Sequence, residues 1–141
     1  MDSSDVQVAL NKLWASIVEE YHFDVLNHTI RFKTKVVDSG NVNEYDVQFC
    51  QVASFYFVDG LDEDRHNCIE PDEGDYVELT SVHFLNEGIG DIRVVPNGDW
   101  TNQYSSTPNF AIEMWSKMLF IEAASVKFNQ EIFNVGYPAG I

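Results

Sequence analysis

From Ile17 onward the apolar side chains recur at every second position, and that period commits the chain to β-strand. Ile17, Tyr21, Phe23 and Val25 alternate with Ser16, Glu20, His22 and Asp24. After a polar break at Asn27-His28, Ile30, Phe32, Thr34 and Val36 alternate with Arg31, Lys33 and Lys35. Neighbouring side chains on a strand point to opposite faces, so the pattern predicts a β-hairpin with one apolar and one wet face. The wet faces complement each other: Glu20 and Asp24 on the first strand meet the three cations of the second, and each such cross-strand pair stabilises by roughly 0.2 to 1 kcal/mol.

The alternation returns in Tyr45, Val47 and Phe49 after the turn cluster Asp38-Ser39-Gly40-Asn41. It then gives way to an uninterrupted run from Val52 to Val58, the pattern of a strand buried on both faces. Val77–Leu85 and Ile89–Val95 read as a further hairpin around Asn86-Glu87-Gly88, with Pro96-Asn97-Gly98 ending it. The last third, Lys117 to Val135, reads as two short strands about Asn129-Gln130. Residues 109–120 fit helix and strand periods equally, because Phe110, Met114 and Met118 also recur at helical spacing.

Only the N-terminus has a clear helical period. Ser4 and Gln7 have the spacing of a capping box, Asp5 places a negative charge at the positive end of the helix dipole, and Val6, Leu10, Leu13 and Ile17 recur on one face with Ala9 and Trp14. A helix from Asp5 to Trp14 docking Val6, Leu10, Leu13 and Trp14 on the sheet follows. The expected fold is α+β and mainly β: the N-terminal helix, then about seven or eight mostly antiparallel strands forming a curled sheet or two-layer sandwich. The chain is expected to form a single domain over residues 1–141, since no repeat or linker divides it.

Charge narrows the function classes. Twenty-three acidic residues oppose eight basic ones, a net of −15. From Asp59 to Asp75 the residues Asp59, Asp62, Glu63, Asp64, Glu70, Asp72, Glu73 and Asp75 face only Arg65, a local net of −7. Such a field repels phosphates and anionic headgroups and steers cationic partners inward, so nucleic acid and membrane are disfavoured as partners. The plainer reading is that the acids serve solubility. No signal peptide or apolar run of membrane-spanning length is present, and Cys50 and Cys68 do not form a disulfide framework. A cytoplasmic setting is expected.

No catalytic, cofactor or metal signature emerges. Asp59 and Glu70 stand at the ends of an EF-hand-length loop, but Leu61 cannot ligate at the third position and Asp64 replaces the glycine of the sixth. His22 between Glu20 and Asp24, and His66 and Cys68 with Cys50, lack the paired spacings of a transition-metal site. There is no GxSxG elbow or HExxH helix, and Gly88-Ile89-Gly90 continues without a third glycine, so no enzyme activity and no cofactor are expected. Phe55-Tyr56-Phe57, Trp100, Tyr104 and Trp115 are the aromatic candidates for binding anchors. Of these, Trp100 and Tyr104 stand out because they lie in a polar loop, DWTNQYSSTPN, where core packing is least expected.

Five segments, LWASIVEEYHFDVLN (Leu13 to Asn27), VASFYFV (Val52 to Val58), ELTSVHF (Glu78 to Phe84), MLFIEAASV (Met118 to Val126) and EIFNVGYP (Glu131 to Pro138), resemble the YxiG-like family of small Bacillus proteins. These are strand and core patterns, so the resemblance speaks to fold more than to chemistry. It implies a cytoplasmic protein of a kind found beside cell-contact toxin loci, with a role in immunity, and it brings no functional residues. Two functions are carried forward. One is an interaction protein neutralising a basic toxin domain, its contact built from the acids of Asp59–Asp75 with Trp100 and Tyr104. The other is a small-molecule-binding protein or enzyme with a pocket in the curved sheet.

Overall fold

The computed structural model describes residues 3–59, 77–93, 105–115 and 117–138. Helix α1 (Ser3–Leu10) runs into one 3-10 turn (Asn11–Leu13), followed by β1 (Ser16–Asp24), β2 (Thr29–Asp38) and the long β3 (Asn41–Asp59). Then come β4 (Val77–Leu79), β5 (Ser81–Phe84), β6 (Ile92–Arg93), β7 (Ser105–Ser106), β8 (Phe110–Met114), β9 (Lys117–Phe128) and β10 (Glu131–Asn134). The main sheet has the order β4-β1-β2-β3-β9-β8-β5, every pair antiparallel.

The ends of that order are the two halves of one strand. Thr80 separates β4 from β5, and its N–H still donates to Glu113 O at 2.7 Å, continuing the β5–β8 ladder. The segment from Val77 to Phe84 therefore pairs first with β1 and then with β8, and the sheet curls into a nearly closed barrel with few free edges. The curled alternative is realised. The expected hairpin of Val77–Leu85 with Ile89–Val95 is not, because the first segment is used to close the barrel while Ile92-Arg93 pairs with Ser105-Ser106.

Along one flank of β9 lie β8, at Lys117 to Ile121, and β10, at Ser125 to Phe128. The gap between them is bridged by Asn109, which is buried. Its Nδ2 donates to Ala123 O at 2.9 Å and its Oδ1 accepts from Ala123 N at 3.0 Å, so the side chain takes the place of a backbone partner. This also resolves the ambiguous segment: Phe110–Met114 and Lys117–Phe128 are strands, turning at Trp115 with φ +58°.

The interior is filled by alternate residues of the strands: Ile30 and Phe32, Val47 and Phe49, Phe110 and Ile112, and Leu119, Ile121 and Ala123. The helix plugs one end. Val6, Leu10 and Leu13 are buried as expected, each contributing about 1.5 to 3 kcal/mol. Trp14 is 68 % exposed because α1 ends at Leu10 and Ala15 takes φ +58°, turning the chain into β1. Gln7 binds the neighbouring strand: its Nε2 donates to Val82 O and its Oε1 accepts from Phe84 N at 2.8 Å, satisfying backbone groups on the outer edge of β5.

Candidate functional site

A cavity lies at the end of the barrel opposite the helix, and a local irregularity in β1 brings two of its rim aromatics inward. In β1 the register shifts between Val18 and Glu20, so after the bulge Tyr21 and Phe23 face the interior side. In β3, Gln51 takes φ +54° and the register with β9 shifts between Val52 and Ser54. These two irregularities bend the strand and move the inward positions from Val47 and Phe49 to Val52 and then to Phe55 and Phe57. The Val52–Val58 run is accordingly not buried on both faces: Phe55 and Phe57 stand at the mouth, and Tyr56 stacks on Phe120 outside, ring centroids 4.7 Å apart.

The mouth is a cavity of about 320 Å³. Tyr21, Phe23, Phe55 and Phe57 form its wall, and the core residues Phe32 and Leu119 its floor. Phe23 packs against Phe55 at 5.2 Å and edge-on against Phe32 at 6.3 Å; Phe32 meets Phe49, and Phe49 meets Phe110 at 5.0 Å. A ladder of rings thus continues from the solvent into the core. Tyr21 joins it edge-on at Phe23, ring centroids 6.3 Å apart, although it is 61 % exposed. Large apolar side chains left together on a concave surface mark a binding site more often than a packing accident.

One ion pair stands on the rim. Asp59 and Lys117 are opposite each other in the β3–β9 register, and Lys117 Nζ donates to Asp59 Oδ1 at 2.8 Å. Residues 55, 57 and 59 share one face of β3, and 117, 119 and 121 share one face of β9, so both charges stand on the same side as the aromatic wall. Lys117 itself lines the cavity. The lining is otherwise almost wholly apolar, completed by Val18, Val77 and Met114.

The outer face of β1, β2 and β3 bears the predicted charge ladder. Lys33 pairs with Glu20 at 3.6 Å and Lys35 with Glu19 at 3.9 Å. Asp24 instead accepts from Asn27 N and Nδ2 at the hairpin turn, and these bonds lower its pKa. Arg31 reaches across to Asp46 on β3 in a two-pronged pair with Nε–Oδ1 at 2.8 Å, which holds the Asp46 carboxyl below its ordinary range and raises the Arg31 pKa. Burial raises the Tyr56 pKa. None of these four groups lines the mouth. Among the described residues no group of three or more His, Cys, Asp or Glu side chains is placed to hold a metal ion.

Of the residues singled out in the sequence, Asp59 is at the rim. Asp62, Glu63, Asp64, Glu70, Asp72, Glu73, Asp75, Trp100 and Tyr104 lie outside the described residues, as do His66 and Cys68. Cys50 is half-buried. The residues that sequence reasoning missed are Tyr21 and Phe23, which alternation alone assigned to the core. Phe55 and Phe57 are among the aromatic anchor candidates of the sequence, and both stand at the mouth. The one available signal was the parity of Val52, which differs from that of Phe49, Phe55 and Phe57, so that no unbroken strand puts all four on one face.

Fold and site together define, among the described residues, a small antiparallel barrel plugged by a helix at one end and bearing an aromatic-lined cavity at the other. The chain belongs to the YxiG-like protein family, whose model matches residues 6–133. It is 26 % identical over 113 residues to the uncharacterized protein YxiG of Bacillus subtilis strain 168, a match covering 79 % of this chain and 77 % of that protein. Among the described residues no helix is long and apolar enough to cross a membrane.

Proposed function

We propose that this protein is a cytoplasmic interaction protein that captures a basic protein at the barrel mouth, in the manner of an immunity protein neutralising a toxin domain. The observation that carries this reading is an aromatic, apolar cavity held open in a molecule of net charge −15. An apolar side chain of the partner seats in the mouth, where enclosed aromatic contacts supply most of the affinity. Complementary charge raises the rate of encounter, as acidic inhibitors do with basic ligands. The same field disfavours nucleic acid. The described lining of the mouth is almost wholly apolar, which suits binding better than bond-making.

The test is capture from the native cell followed by identification. The captured protein should be basic, co-expression should relieve its toxicity, and the Phe55→Ser/Phe57→Ser double variant should lose both capture and protection while keeping its thermal midpoint. Protection that survives this variant would refute the mouth as the contact. The concave shape of the cavity favours a second reading, a small-molecule-binding protein, which would appear as a copurifying ligand displaced by the same variant.

A further inference from the structure

We infer that the mouth selects amphipathic cations, an apolar group next to a positive charge, by exchanging the Lys117–Asp59 pair for a bond between Asp59 and the incoming cation. The inference rests on the reading of the mouth as the binding site and adds the chemistry that the site prefers. About 320 Å³ is near the lower end of the volumes that hold a small organic group or one large side chain. Its described walls offer an occupant aromatic and aliphatic surface, with the Tyr21 hydroxyl as a neutral polar group and Lys117 as the charged one, so a charged part of the ligand sits best at the rim, where Lys117 meets Asp59.

That pair is open to exchange. The Lys117 side chain is 48 % and that of Asp59 54 % exposed, and exposed pairs contribute only about 0 to 1 kcal/mol. In principle either partner is available: an anion would take Lys117, a cation Asp59. The surrounding field decides. The molecule carries −15. An incoming anion therefore approaches against the field, while a cation approaches with it. A guanidinium or ammonium carried beside an apolar stem also keeps its own contact with the ring faces of Phe55 and Phe57, an interaction that an anion lacks.

The experiment compares 4-phenylbutylamine, 4-phenylbutyrate and 4-phenylbutanol as probes of one shape and three charges, binding to the full chain being followed by amide chemical shifts. The amine should bind about tenfold more tightly than the carboxylate at low ionic strength and move resonances of Phe55, Phe57, Asp59 and Lys117. Lys117→Met, which keeps the apolar stem and removes the competing cation, should tighten the amine severalfold. Asp59→Asn should remove most of the advantage of the amine over the alcohol. Binding of the alcohol with no preference between amine and carboxylate would overturn the inference while leaving the mouth as a site. Shifts at the mouth from none of the three would overturn both.

Discussion

Asn109 is the residue on which the continuity of the barrel wall most depends. Its amide stands in for a missing strand between β8 and β10, and without it the N–H and C=O of Ala123 are left buried and unpaired. Each orphaned group costs about 1 to 3 kcal/mol, so Asn109→Ala should lower stability by roughly 2 to 6 kcal/mol in urea unfolding. A change within error would mean that water replaces the amide. The Arg31–Asp46 pair makes a smaller, pH-dependent contribution. The folded Asp46 pKa lies below that of the unfolded chain, so its contribution is complete above the unfolded value of about 4 and is lost as pH falls through the folded one. Asp46→Asn should therefore reduce the difference in thermal midpoint between pH 7 and pH 3. With both side chains about 40 % exposed, the effect at neutral pH should stay near the range of about 0.2 to 1 kcal/mol for exposed pairs.

At the level of elements, the helix contributes as a plug. Leu10 is 1 % exposed, whereas Trp14, assigned by periodicity to the same face, projects into solvent. Leu10→Ala should cost about 2 to 5 kcal/mol as a buried truncation, while Trp14→Ala should stay within about 0.5 kcal/mol, the range for surface substitutions. Parallel denaturant titrations would check the contrast, and equal effects would misplace the end of the helix. The elements themselves were largely legible from period and turn chemistry. The first hairpin, the Tyr45–Phe49 strand and the final pair about Asn129-Gln130 all form where alternation put them. Legibility failed where one strand serves two neighbours, as Val77–Phe84 does, because alternation records which face is buried and carries no information about which strand lies alongside.

Charge and chain topology act on the whole molecule. If a basic partner is captured, its association rate should fall as salt rises, since the Debye length shortens to about 8 Å near physiological ionic strength. Replacing Asp62, Glu63, Asp64, Asp72 and Glu73 by Asn or Gln should slow association much more than it alters the unfolding midpoint. Stopped-flow rates indifferent to both salt and substitution would reduce the acidic segment to a solubility feature. The sequence by itself determined the strand-rich class, the helical plug and the sign of the field, because these depend on local period and on a sum of charges. Only the tertiary structure decided that the sheet curls nearly shut and that its mouth is aromatic. Closure depends on pairings between residues far apart in the chain, and the mouth on the irregularity near Glu19 that turns Tyr21 and Phe23 inward, while those near Gln51 and Ala53 return Phe55 and Phe57 to the face of Val47 and Phe49. A shift of one residue exchanges core for surface, and no count of apolar residues records on which side of such a shift a phenylalanine falls.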